Sequence, residues 1–238
     1  MHLVIGLGNP GRRYERTRHN AGFLVVDRLA ERVGARVERK QLGALVDSIR
    51  VPEVDDALVL AKPQGFMNLS GQPAASLRGY YKVRTEDVVV VHDDVDLEPG
   101  RLKLKQGGGD GGHKGIRSMT ELLGSADFIR LRFGVGRPPS PGPAGPSRQG
   151  AGSEVADFVL SPFGQQEQEI VMEAVKRSLQ ALDAILGRGL KEAMNRFNRP
   201  PKPVKEKEVA AAAGDLQARP RQPEEVAAES GKALEKPR

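Results

Sequence analysis

The 238-residue sequence contains no cysteine. Disulfides, thiolate metal sites and a thiol nucleophile are therefore excluded, and the composition fits a reducing, cytoplasmic setting. No apolar run approaches the ~18 residues of a membrane span, so no membrane segment is expected. The opening "MHLVIGLGNPG" runs straight into a strand and turn, with no basic leader or cleavage site, and predicts no signal peptide. Several catalytic spellings are also missing. There is no G-x-S-x-G nucleophile elbow and no G-x-x-x-x-G-K-[ST] phosphate loop. His92, Asp93, Asp94 and Asp96 are raw material for a metal centre, but the four histidines are scattered and no H-x-x-x-H spacing occurs. No metal and no cofactor are expected.

The hydrophobic fraction of 38% is low for a globular chain, so part of the length is expected not to fold. Composition shifts near Arg199. Residues 199–238 are rich in Pro, Ala, Lys and Glu and nearly free of large apolar side chains, which predicts a disordered tail with a transient helix around 209–218. Nine basic and seven acidic residues there account for +2 of the formal +6, leaving +4 on residues 1–198. The folded part is itself basic, compatible with a polyanionic partner. A second soft stretch, Gly136–Ser153, is dense in Pro and Gly and predicts a mobile loop inside the domain.

Elsewhere strand and helix patterns alternate. Strands are predicted at His2–Gly6, Ala44–Val51, Ala57–Lys62, Asp87–His92, Arg101–Lys105 and Ile129–Val135. Helices are predicted at Asn20–Val33, Asn68–Tyr81, Lys114–Leu123, Gln165–Leu186 and Leu190–Asn198. This alternation indicates an α/β domain with a largely parallel sheet, whose ligands bind at the carboxyl ends of the strands. "GLGNPG" and "HDDVD" both follow strands and fall at that end.

Gly6, Gly8 and Gly11 spell the dinucleotide fingerprint G-x-G-x-x-G. A nucleotide site, however, needs a helix opening inside the motif. Here the polar "RRYERTRH" intervenes and the amphipathic helix starts only near Asn20. His19 offers different chemistry. If the sheet brings Asp93 to it, the carboxylate fixes one ring nitrogen and leaves the other as a base acting on water. Asn9, Asn68 and glycine-loop amides are candidate neutral donors to a carbonyl or oxyanion. The residues alone thus suggest general-base hydrolysis of an acyl compound.

"VIGLGNPGRRYERTRHNAG", "KPQGFMNLSG", "VHDDVDLEPGRLKLKQGGGDGGHKGIRS" and "FIRLRFGVGRP" together resemble bacterial peptidyl-tRNA hydrolase from about Leu3 to Asn198. The resemblance implies one α/β domain, residues 1–198, with a twisted mixed sheet flanked by helices on both faces. It implies hydrolysis of the ester joining a peptide to tRNA, which recycles tRNA, by a monomer without a metal or an obligate protein partner. Carried over by position, His19 is the base, Asp93 its carboxylate and Asn9 the residue that discriminates blocked from free aminoacyl groups. Tyr14, Phe66, Met67, Asn68, His113 and Lys114 contact substrate. Lys103, Lys105 and Arg132 face the tRNA.

This sequence departs from the pattern in three places. Lys114 stands where many members have asparagine, and Gly65 replaces a more usual threonine, which would loosen that strand end. The long 136–153 loop leaves Arg148 only a candidate for a tRNA-binding lysine of some members. Two other readings compete: a non-catalytic RNA-binding relative, and a metal-dependent phosphodiesterase using His92, Asp93 and Asp96.

Overall fold

The computed structural model describes residues 1–51, 56–138 and 151–199. They belong to a single compact unit. Seven strands form one sheet: β1 (His2–Gly6), β2 (Arg39–Gln41), β3 (Ala44–Val51), β4 (Asp56–Pro63), β5 (Val88–Asp94), β6 (Leu102–Gln106) and β7 (Ile129–Gly134). Their spatial order is β2-β3-β4-β1-β5-β7-β6. The middle four, β4-β1-β5-β7, are parallel, and the pairs toward both edges are antiparallel. Short apolar runs such as Leu3–Gly6 and Val88–Val91 are buried throughout, as expected for central strands covered on both faces.

Alternation divides the core. Val4, Leu60, Val89, Val91, Leu131 and Phe133 pack on one side with residues of α1 (Ala21–Arg32), α5 (Gln168–Arg188) and α6 (Leu190–Phe197). Leu3, Ile5, Val59, Val88 and Val90 face the other side, against α2 (Gly71–Tyr80) and α3 (Lys114–Leu123). On that second side β6 and β7 carry no apolar residue of the core. Their side chains there are Lys103, Lys105, Arg130 and Arg132, of which the last three line the cleft described below.

Two elements depart from the sequence reading. β2 is a three-residue edge strand of polar residues, which has no apolar pattern to reveal it. α4 (Ala151–Val159) begins inside the segment predicted as loop. Of Gly136–Ser153, residues 136–138 lack regular structure, 139–150 lie outside the described residues, and 151–153 are helical. The last proline of that run is Pro146, so nothing forbids helix from Ala151, and Glu154 in the first turn suits its positive end. Arg148 and the tail from residue 200 onward lie outside the described residues.

Candidate active site

The glycine motif turns out to serve packing. A Cβ on Gly6 would lie 2.3 Å from the Gly22 carbonyl oxygen, and one on Gly22 would lie 2.4 Å from both Leu7 N and Val91 O. Only glycines let α1 approach β1 and β5 this closely. The turn between them is clamped by an amide pair. Asn20 Oδ1 accepts from Asn9 N and Asn20 Nδ2 donates to Asn9 O, both at 2.9 Å. Asn9 Oδ1 in turn accepts the Met67 amide at 2.8 Å. That bond fixes which end of the Asn9 amide is oxygen and leaves its Nδ2 hydrogens for a ligand.

The ends of β1 and β5 bring His19 to Asp93. His19 Nδ1 lies 2.9 and 3.0 Å from the two Asp93 carboxylate oxygens. His113 Nε2 reaches the same Oδ1 at 3.0 Å. The proton positions follow from what else the rings do. His113 caps the N-terminus of α3: its Nδ1 accepts from Gly115 N at 3.1 Å and Ile116 N at 3.3 Å. A nitrogen accepting backbone amides carries no hydrogen, so the neutral His113 ring presents Nε2–H to Asp93. Asp93 is buried and acts only as an acceptor. The His19 ring therefore offers it Nδ1–H and keeps the Nε2 lone pair free.

Burial by itself would raise the Asp93 carboxyl, but the electrostatic attraction of the His19 and His113 rings and the hydrogen bonds that they donate outweigh it and hold the group well below the usual carboxylate range. His92, directly before it, is buried, and burial pushes its ring well below the ordinary histidine value. Its Nδ1 donates to the Asp93 carbonyl at 2.7 Å, and its ring sits edge-on to His113 at 4.8 Å.

His19, Asp93 and His113 also have the donor geometry of a three-ligand metal cluster. The α3 cap argues against that use. A metal on His113 Nε2 would have to displace its proton while Nδ1 still accepted two amides, leaving an imidazolate. The metal set considered from the sequence does not assemble: Asp96 pairs with Arg137, and His92 is turned to its own backbone.

These groups open into a cleft of about 400 Å³. Asn9, Phe66, Met67, Asn68, His113, Lys114, Lys105 and Arg132 line it together with His19 and Asp93, whereas Tyr14 and Lys103 do not. Tyr14 lies in a 3₁₀ turn with the Arg13 guanidinium over its ring. One wall of the cleft is apolar, formed by Phe66, Val95 and α4's Val155 and Val159. α4 is fastened from behind by buried Arg18, whose guanidinium donates to Ser161 Oγ, Pro162 O and Glu167 and lies over Phe158 at 4.2 Å. Neither α4 nor Arg18 was singled out by the sequence.

Another part of the lining is cationic. In the antiparallel β6–β7 register Lys103 faces Arg132 and Lys105 faces Arg130. Arg132 pairs with Asp94. Burial, then Arg130, Arg132 and Lys103, lower the Lys105 ammonium. Arg130 was missed in the sequence, although "RLR" places its two arginines two residues apart and so on one strand face. Lys114 is exposed at the rim, and a side chain on Gly65 would crowd Leu69 Cβ at 3.2 Å.

Comparison with known proteins points one way. The sequence profile of the family described as Peptidyl-tRNA hydrolase matches residues 3–207. A peptidyl-tRNA hydrolase of Nocardia farcinica is 45% identical over 197 residues, spanning 82% of this chain and 95% of the relative. One from Streptomyces coelicolor is 44% identical over 200 residues, covering 82% and 94%. The crystal structure of peptidyl-tRNA hydrolase from Acinetobacter baumannii superposes with a TM-score of 0.73 at 32% identity, over 83% of this chain and 94% of that one.

Proposed function

The chain belongs to the peptidyl-tRNA hydrolase family and hydrolyses peptidyl-tRNA, and we propose that it does so by general-base catalysis without a metal. The observation that carries this reading is the shared carboxylate. Asp93 takes Nδ1–H of His19 and Nε2–H of His113, which leaves His19 Nε2 as an acceptor beside the cleft.

In the proposed reaction a water oxygen attacks the ester carbonyl carbon while His19 Nε2 takes its proton. The charge then resides on an imidazolium held by Asp93 and on a tetrahedral oxyanion. Asn68 and the outward amide hydrogens of Asn9 are neutral donors to the oxyanion and to the peptide. The bond from carbon to ribose oxygen then breaks, and the ribose oxygen takes the proton back from His19. The products are a tRNA with a free terminal hydroxyl and a peptide carboxylic acid, which loses its proton to solvent to become the carboxylate. Positioned general-base catalysis typically contributes ~10²–10⁴-fold, and an ester needs less help than an amide.

The two walls of the cleft divide the substrate. Phe66, Met67 and the α4 side chains receive the peptide, and Lys105, Arg132, Lys103 and Lys114 receive tRNA phosphates. Tyr14, outside the cleft lining, serves the bound tRNA at its periphery. Residues 1–198 form the catalytic domain, and 199–238 are an appendage to it. The enzyme works as a cytoplasmic monomer.

One assay tests this reading: release of a labelled N-blocked aminoacyl group from tRNA, with and without exhaustive chelation. Undiminished turnover after chelation is expected. Loss that is restored by a divalent ion would overturn the metal-free mechanism, and tRNA binding without turnover would favour the non-catalytic RNA-binding relative.

A further inference from the structure

The glycine-rich segment 107–112 crosses the cationic face of β6 and β7 and ends at His113. It has little to hold it. Gly107, Gly108, Gly111 and Gly112 adopt positive φ, and no residue of the segment contributes an apolar side chain to the core. Its local hydrogen bonds are Gly112 N to Asp110 Oδ1 at 2.7 Å and His113 N to Asp110 O at 3.0 Å, and at its start Gly107 N donates to Phe128 O at a long 3.4 Å. Arg117 reaches Asp110 only at 3.4 Å and at the surface. A chain of this composition has much conformational entropy to lose on ordering.

Arg130 supplies the tie to the sheet. Its side chain is buried, and its fork donates to two successive carbonyls, Nη1 to Gly109 O at 2.8 Å and Nη2 to Gly108 O at 2.6 Å. The guanidinium stacks on Phe128 with its carbon 4.8 Å from the ring centroid. Among the described residues no carboxylate lies within ion-pair distance of it, and Asp110 attracts it only from farther away. It is flanked instead by Lys105 and Arg132, and burial followed by Arg132 lowers it from the ordinary guanidinium value. A cation kept in such surroundings needs compensation, and here the glycine carbonyls provide it. Two carbonyls one residue apart suit a planar fork and not the point charge of lysine.

We propose that Arg130 is a positioning residue for the hydrolysis: it fastens the glycine segment over the cleft and so holds His113 against Asp93. The link is continuous, from Arg130 through Gly108 and Gly109 to His113 and from there to the Asp93 oxygen shared with His19. It rests on the hydrolase reading through His19 and Asp93, but its first test does not.

That test is amide exchange of residues 107–115 in the free, full-length protein, native against Arg130→Ala and Arg130→Lys, with Tm measured alongside. Both variants should exchange faster in this segment while the β1 and β5 amides stay protected. The second arm is steady-state hydrolysis of N-blocked aminoacyl-tRNA. Arg130→Ala should lower kcat by roughly 10- to 100-fold, the scale of a 1 Å misplacement, with KM changed less than about threefold. Arg130→Lys should restore less than half of the lost activity. Free guanidinium ion should rescue Arg130→Ala and leave the native enzyme unchanged. If Arg130→Ala fails to fold, Arg130→Lys carries both arms.

Unchanged exchange in 107–115 would overturn the proposal whatever the enzyme does. A raised KM with intact kcat, or full recovery in Arg130→Lys, would make Arg130 an RNA-binding charge and would also overturn it. A native protein that does not hydrolyse the substrate would instead refute the underlying reading, with the exchange result still standing.

Discussion

Replacing Asp93 by asparagine removes one oxygen and one charge at the centre of the site. His113 decides how the new amide sits. Its Nδ1 is committed to the α3 amides, so its Nε2–H needs an acceptor, and the asparagine oxygen must stay where Oδ1 is now. The NH₂ group then occupies the place of Oδ2, 3.0 Å from His19 Nδ1. Two donors then face each other at the Oδ2 place while Nδ1–H still reaches Oδ1 at 2.9 Å, and this competition favours the tautomer with the proton on Nε2, which removes the base. Any population that keeps the useful tautomer still lacks the negative charge that stabilises imidazolium. General-base catalysis contributes ~10²–10⁴-fold, and an Asp→Asn change behind a catalytic histidine of a serine protease costs about 10⁴. A loss of kcat on the order of 10³–10⁴ is therefore expected, or ~4–5.5 kcal/mol of barrier. KM should change little, because Asp93 is buried and lies apart from the lysines proposed to meet phosphate. The assay is steady-state release of a labelled N-blocked amino acid from tRNA, with circular dichroism and Tm as controls for folding. Acid stability gives an internal check. A carboxyl held below its ordinary value contributes stability above the unfolded pKa of ~3.9 and loses it as pH falls through the folded value. The native protein should therefore lose more stability below pH ~4 than Asp93→Asn does. A folded variant with kcat within tenfold of native would refute the reasoning.

The other expectations concern the neighbours of this pair. His19→Ala should abolish turnover while leaving Tm and tRNA affinity within about twofold, and near-normal turnover by the folded variant would remove His19 as the base. Neutralising Lys103 and Lys105 together should flatten the slope of log K against log salt by roughly 1.4–1.8, since each phosphate contact contributes ~0.7–0.9; an unchanged slope would show that neither meets phosphate. Asn198 pairs both backbone groups of Leu104 on edge strand β6, at 2.6 and 3.0 Å, so Asn198→Ala should cost about 1–3 kcal/mol while a chain ending at Asn198 keeps its Tm and rate. Thermal melting of both variants checks this, and destabilisation of the shortened chain would show that the tail docks. Lys114→Asn should weaken tRNA binding a few-fold and leave the midpoint of the pH–rate profile in place, because Lys114 is exposed at the rim; an upward shift of the midpoint with binding unchanged would place its charge against His19.

The elements legible in the sequence are those whose patterns are local. Val88–Val91 reads as a buried strand and Lys114–Leu123 as a helix because apolar periodicity and the flanking glycines say so without reference to the rest of the chain. β2 was not legible, since three polar residues join the sheet only by pairing with β3. α4 was hidden because its start follows a run of Pro and Gly that carries the opposite signal. The same limit applies within the site. Asn9, His19 and Asp93 could be matched as candidates, but that one carboxylate serves two histidines depends on His113 capping α3, which is a tertiary fact. Asn20 was legible only as the start of a helix, and the fold uses its side chain to close the glycine turn. Tyr14 matched a motif and yet does not line the cleft.

The cationic wall explains why so much near the site runs against stability. Like charges directly opposite one another in an antiparallel pair destabilise it, and β6–β7 holds two such pairs, Lys103 with Arg132 and Lys105 with Arg130. The fold offsets two of the four charges. Asp94 neutralises Arg132, and the glycine carbonyls absorb Arg130. Lys103 and Lys105 have no ion-pair partner among the described residues. Arg130 is therefore committed within the protein, Arg132 meets a phosphate only by sharing its charge with Asp94, and a phosphate reaching this face would gain most from the two lysines. Removal of the lysines should relieve repulsion and raise Tm slightly as it weakens RNA binding, whereas removal of either arginine should lower Tm. This opposite response of stability within one basic patch separates charges held for the ligand from charges held for the fold.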